Sequence, residues 1–261
     1  MKTSSPPEPE SLSILGVRVH SVTSDEALLL LDGYASSGAP HHVVTVNPEF
    51  CVQAQGLPEF KQALNQAALA LADGVGLLWA ARVLGSRLAA RVTGVDLVDS
   101  LAELAARKGY RLFLLGAGPG VAEAAAAALT RKHPGLVVAG SYGGSPSPKE
   151  EDEIVAHVKA AQPHFLFVAY GAPQQDLWIR RNLDRLAVPV AMGVGGAFDY
   201  ISGRVARAPG WMRRIGLEWL YRLGREPWRW RRMLRLPYFF WLVLAQRGGR
   251  MGFNSPEKNR Q

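Results

Sequence analysis

The chain has 261 residues with 48% hydrophobic and 20% charged side chains, a globular composition that excludes wholesale disorder and leaves room for one large core. A single cysteine, Cys51, excludes a disulfide framework and a multi-cysteine zinc site. The net charge of +8 is unevenly distributed: residues 1–201 hold 16 basic and 19 acidic side chains, whereas residues 202–261 hold 14 basic and 3 acidic ones with five of the seven tryptophans. A slightly acidic domain is therefore followed by a basic, aromatic-rich tail, which directs attention to an anionic partner.

The opening residues 1–12 are polar and proline-rich and read as a disordered lead-in. Apolar runs then alternate with alanine-rich helical stretches. Strands are expected at His42–Val46, Arg111–Leu115, Val137–Ser141, Phe165–Tyr170 and Val188–Gly193. Helices are expected at Pro58–Ala70, Gly76–Leu84, Gly94–Lys108, Val121–Lys132, Lys149–Ala160 and Gln174–Leu186. This alternation predicts an α/β domain over 13–203, with a mostly parallel, Rossmann-like sheet covered by helices on both faces. The acidic cluster Glu150–Glu153 reads as the first turn of a helix with no catalytic role.

In such a sheet, ligands bind where strands end and helices begin. Thr45 and Asn47 lie at one such junction, and Asn47 reads equally as the cap of a helix opening at Pro48. Gly116, Gly118 and Gly120 form a second junction, either a phosphate-binding loop or a plain tight turn. A dinucleotide fingerprint would place its third glycine at Val121, so an oxidoreductase reading rests on this loop alone. Further junctions are Gly171–Trp178, which contains Gln175, and Gly193–Asp199, which contains Gly195 and Gly196. The Asp73-Gly74 pair is by local pattern a turn, yet it sets a carboxylate at a loop, where it could serve as a general base. Arg91, close by in the chain, is a candidate for an anionic substrate. There is no Asp-x-Asp, P-loop, Gly-x-Ser-x-Gly or His-Glu-x-x-His motif.

From Arg204 onward, arginine is interleaved with Trp, Tyr, Phe and Leu, giving a basic aromatic appendage over 204–247 and a flexible tail over 248–261. Its apolar run, Leu236–Ala245, is too short for the ~20 residues of a membrane span. It reads either as a membrane-surface element or as a docked helix completing the core. Nucleic-acid binding is the weaker reading, because that run would be wasted on a phosphate backbone. A non-enzymatic membrane adaptor would rest on the tail alone.

Five segments in order, TVNPEF (45–50), ADGVG (72–76), RVTGVD (91–96), GAPQQDLW (171–178) and GVGGAFDYISGRVARAPGWMRRIGLEWLYRL (193–223), resemble the WecG/TagA/CpsF family of bacterial glycosyltransferases. The likeness runs from about Ser13 to Phe240, and departs at Asp176, where the family pattern usually has Glu. The resemblance implies an inverting, metal-independent enzyme without a cofactor. It implies transfer of a sugar from a UDP donor to a polyprenyl-diphosphate-linked GlcNAc acceptor, in cell-wall or surface polysaccharide synthesis. N-acetylmannosamine is the expected sugar, ahead of its uronic acid or a hexose. Carried over by motif, Asp73 is the catalytic base and Thr45, Asn47, Arg91 and Gln175 line the pocket. Backbone donors come from the loops holding Gly116, Gly118, Gly195 and Gly196, and Arg222, Arg229 and Arg232 of the appendage face phosphates. The expected location is the cytoplasmic side of the cell membrane, bound peripherally to its anionic surface, and a homo-oligomer is among the expected partners.

Overall fold

A computed structural model describes residues 9–214, 218–225, 230 and 234–249. The chain opens with an antiparallel hairpin, β1 (Ser11–Ile14) and β2 (Val17–His20). Its two-residue turn, Leu15-Gly16, has positive φ at both positions, the twist that matches paired strands. Helix α1 (Ser24–Ser37) follows, fixed by a reciprocal cap between Thr23 and Glu26. Then come β3 (His41–Val46), α2 (Pro48–Gly56), α3 (Pro58–Gln66), β4 (Leu69–Ala72), α4 (Val75–Val83) and α5 (Gly94–Lys108). The second half alternates β5 (Arg111–Gly116), α6 (Val121–Lys132), β6 (Val137–Tyr142), α7 (Glu151–Ala161), β7 (Phe165–Ala169), α8 (Gln174–Leu186), β8 (Val190–Gly193) and α9 (Ala197–Ile201).

Six strands form one parallel sheet in the order β4-β3-β8-β7-β5-β6. Alternate residues feed opposite faces, as strand geometry requires. Leu112, Leu114, Phe165, Phe167, Val190 and Met192 pack beneath α1, α5, α6 and α9. On the other face Phe113, Leu115, Leu166, Val168 and Ala191 meet α7 and α8, while Val44, Val46, Ala70 and Ala72 meet α2, α3 and α4. Burial on both faces explains why the strands read as apolar runs rather than alternating ones.

The sequence pattern misplaces one boundary. The helix expected over Pro58–Ala70 ends at Gln66, and Leu69–Ala72 is instead the edge strand β4, paired with β3 through Val44 and Ala70. Leu-Ala-Leu-Ala has no β-branched residue, so its extended state comes from pairing and full burial, not from propensity. The acidic cluster at the start of α7 is structural throughout. Glu150 accepts from Ser145, Glu151 from Arg181, Asp152 from Arg185 and Glu153 from Tyr142. Cys51 is buried, and burial pushes its thiol up to about 12, which leaves it an inert packing residue.

Beyond the sheet, the described tail contains α10 (Gly210–Arg214), α11 (Glu218–Arg225) and α12 (Arg235–Arg247). Helix α12 returns to the domain: Phe239, Leu242 and Val243 are buried in the cluster formed by α2, α4 and the hairpin. Burying each such side chain stabilises by roughly 1.5–3 kcal/mol, so this helix is part of the core. Gln246 fixes its end, accepting from the Leu15 N–H at 2.9 Å and donating to the Ser13 carbonyl.

Candidate active site

The strand order reverses about β3 and β8, and their carboxyl ends lie beside that of β4, the position at which open parallel sheets bind ligands. Three loops meet here. The Asp73 N–H donates to the Val46 carbonyl at 2.7 Å, tying the loop after β4 to the end of β3. Thr45 Oγ1 donates to the Gly193 carbonyl at 3.4 Å, tying β3 to β8. Gln175, at the start of α8, accepts from the Gly195 N–H at 2.9 Å and joins the fourth segment to the group. Close approach of these backbones depends on small residues. A Cβ at Gly76 would lie 2.7 Å from Pro48 Cγ, and one at Gly193 would lie 2.5 Å from Gln175 Nε2.

Asp73 occupies the strand-to-helix turn without capping the helix that follows. The cap position of α4 is Gly74, at φ +122°, and no side chain caps it. The carboxylate instead takes the N–H of Gly94, the first residue of α5, at 3.4 Å. Its surroundings work against ionisation. Burial raises its pKa from 3.8 to about 6, outweighing the Gly94 N–H and the Arg91 charge, which lower it, while the charges of Glu218 and Asp96 push it further up. Part of the side chain still reaches solvent. A partly exposed carboxylate with a raised pKa is the kind of group that general-base chemistry uses.

The other expected residues divide into two groups. Thr45 on β3 is buried and lies against Gly94, Gln175 is buried against Gly193 and Gly195 at the end of β8, and Asn47 is half-buried at the end of β3. The Asn47 side-chain oxygen caps α2 by accepting from the Phe50 N–H at 3.0 Å. Arg91 is half-buried and lines a small cavity with Ser24, Thr93 and Asp96. The Gly195 N–H is already donated to Gln175, and Gly196 is the cap position of α9. Gly116 and Gly118 sit apart from Asp73, at the end of β5. Four strand spacings of about 4.8 Å separate β5 from β4, on the order of 19 Å. Gly116, at φ +96°, lies against Tyr170, and Gly118 lies against Arg204, whose Nη1 would be 3.3 Å from an added Cβ. Arg222 is on α11 but its side chain is outside the described residues, as are Arg229 and Arg232 entirely.

The family model described as "Glycosyl transferase WecG/TagA/CpsF family" matches residues 12–252, most of the chain. The chain belongs to this glycosyltransferase family. Three similar members are each named N-acetylglucosaminyldiphosphoundecaprenol N-acetyl-beta-D-mannosaminyltransferase. One from Bacillus spizizenii W23 is 37% identical over 77% of this chain and 78% of its own length. One from Bacillus subtilis 168 is 34% identical over 83% and 84% respectively. One from Staphylococcus aureus MW2 is 33% identical over 77% and 78%.

Within this WecG/TagA/CpsF glycosyltransferase the structure also forms side-chain pairs that sequence reasoning did not identify. Asp176 is fully buried with its Oδ1 3.4 Å from His42 Nε2, facing a buried histidine across β3 and α8. Arg207 joins Asp96 at 2.6 Å, and Arg235 joins Glu49 at 2.5 Å. Only chemistry-bearing residue types flag these positions in sequence. Their partners are 111 and 186 positions away.

Proposed function

We propose that this glycosyltransferase moves N-acetylmannosamine from a UDP donor to a polyprenyl-diphosphate-linked GlcNAc acceptor, with Asp73 as general base. The observation that carries the reading is the Asp73 carboxylate itself, held near neutrality where the ends of β3, β4 and β8 meet. The names of the similar transferases support the choice of sugar and acceptor.

In this mechanism a hydroxyl of the acceptor GlcNAc attacks the anomeric carbon of the donor while Asp73 accepts its proton. The bond from that carbon to the UDP β-phosphate oxygen breaks, and UDP leaves from the opposite face with inversion. Thr45 and Gln175 shape the sugar pocket, and Asn47 lines it while capping α2. The charge developing on the leaving diphosphate is met by arginines and backbone N–H groups. The separation between Asp73 and the Gly116–Gly120 loop suits an extended nucleotide-sugar lying along the sheet edge, with Arg204 beside its phosphates. Arg91 lowers the cost of anionic substrate beside Asp73, and Arg222, Arg229 and Arg232 belong to the same phosphate-facing set.

The acceptor's lipid remains in the bilayer, so the enzyme works at a membrane surface. No helix among the described residues is long and apolar enough to cross a membrane. Helix α12 offers a different means: its inner face is buried, while Tyr238, Trp241 and Leu244 are exposed on its outer face, and Trp230 and Leu234 just before it are exposed as well. Aromatic anchors among arginines fit the interface of an anionic membrane. The deciding experiment offers a panel of UDP-sugars to the full chain with a short-chain lipid-diphosphate-GlcNAc acceptor. Turnover with UDP-N-acetylmannosamine and an inverted product linkage is expected. Preference for the uronic acid or a hexose donor would overturn the sugar assignment, and a retained anomeric configuration would overturn the mechanism.

A further inference from the structure

The segment between α9 and α10 connects the sheet domain to the tail, and it is held to the domain at Val205, Arg207 and Ala208. The Val205 N–H donates to the Asp199 carbonyl at 3.0 Å, and Ala208 is buried. Between them Arg207 turns inward, with 23% of its side chain exposed. Its Nη1 donates to Asp96 Oδ1 at 2.6 Å and its Nη2 to Oδ2 at 3.4 Å, while Nε lies 3.7 Å from Glu218 Oε1. One guanidinium therefore joins the first turn of α5, the segment before α10 and the first residue of α11.

The start of α5 is also where the site's carboxylate is held. Thr93 caps α5: its Oγ1 donates to Asp96 Oδ2 at 2.6 Å and accepts from the Asp96 N–H at 3.3 Å. The next residue, Gly94, supplies the N–H that binds Asp73. Arg207 thus grips the same turn that presents a donor to Asp73. It also neutralises two carboxylates that bear on it. The charged groups facing Asp73 are Arg91 just before α5, Asp96 on α5 and Glu218 on α11, and on the α2 side Glu49 is already paired with Arg235 of α12. Asp96 is half exposed, at 52%, and a surface ion pair of that kind contributes little unless its geometry is favourable. The Arg207 fork meets both oxygens of Asp96, and most of the Arg207 side chain is removed from water.

We propose that Arg207 is a positioning residue for sugar transfer: it clamps the tail onto the capped start of α5, holds the Gly94 N–H against Asp73 and offsets the carboxylates of Asp96 and Glu218. The proposal rests on Asp73 being the base.

The test measures kcat and KM against pH for the full chain and its Arg207→Gln and Arg207→Lys variants, with Asp73→Asn as a reference. Arg207→Gln is expected to lose kcat at neutral pH by about tenfold or more, with a smaller change in KM. The acidic limb of its kcat profile should move to higher pH by about half a unit or more, because two uncompensated carboxylates favour the protonated base. Arg207→Lys keeps the charge without the fork, so its limb should return toward the wild-type position while kcat recovers only in part. An unmoved limb in Arg207→Gln, or equal damage in Gln and Lys variants, overturns the proposal. A melting-temperature cycle of Arg207→Gln with Asp96→Asn tests the clamp without turnover: non-additive shifts support it, and additive ones overturn it. Activity retained by Asp73→Asn would remove the base assignment instead, a result separable from failure at Arg207.

Discussion

Replacing Asp73 by Asn should make the protein more stable and nearly inactive. The native carboxyl has a pKa of about 6 against 3.8 for the ordinary group, so the native fold holds its proton more tightly than the unfolded chain does. A folded pKa above the unfolded one means that the native state is favoured at low pH and loses stability as pH rises from about 4 to about 6. The difference of two units corresponds to about 3 kcal/mol at neutral pH, a ceiling because part of the side chain reaches solvent. Asparagine removes the charge and keeps an oxygen for the Gly94 N–H, so a gain of about 1–3 kcal/mol is expected, a rise in Tm of roughly 2–12 °C for a chain of this size. Denaturant melts from pH 4 to pH 8 read this directly. The variant and the parent should coincide near pH 4, separate up to about pH 6 and run parallel above it. Loss of the base should lower turnover by ~10²–10⁴-fold. Parallel stability curves across the whole range would refute the burial argument, and near-parental turnover would refute the catalytic one.

Helix α12 allows its two faces to be separated. Phe239→Ala removes a fully buried ring beside Gly76 and should cost about 3–5 kcal/mol, seen as a large fall in Tm. Trp241→Ser and Tyr238→Ser change only exposed aromatics, so Tm should hold while sedimentation with anionic vesicles weakens; unchanged vesicle binding would refute the membrane face. Gly193→Ala drives a methyl against Gln175 and Asp176, both buried, and should lower stability by about 1–3 kcal/mol while displacing Gln175 from the Gly195 N–H. Its kcat/KM should fall by roughly ten- to a hundredfold, and full activity would remove Gln175 from the site.

The legible parts of this protein are those encoded over a few neighbours. The apolar runs of β3, β5, β7 and β8, the helical stretches between them and the strand-end loops all follow from short-range pattern, and they suffice for a parallel sheet. The candidate residues Thr45, Asn47, Asp73, Arg91 and Gln175 fall in order within short motifs, and the fold brings Thr45, Asn47, Asp73 and Gln175 to one end of the sheet. Strand β4 was illegible because Leu69–Ala72 has the composition of a helix and becomes extended only when β3 pairs with it. For the tail, both readings, surface element and docked helix, stood open in the sequence, and which residue serves which was not legible. The same aromatic run supplies Phe239 to the core and Trp241 to the surface, and only the packing partner decides which.

By itself the sequence determined the alternation of elements, the loops able to carry chemistry and the split between a near-neutral domain and a basic tail. The tertiary structure alone decided that Asp73 is buried enough to hold its proton near neutrality, and that Arg207 and Arg235 close on Asp96 and Glu49. The physical reason is range. Propensity and capping act within a turn or two of chain, whereas desolvation and charge pairing depend on which distant residues the finished fold brings together.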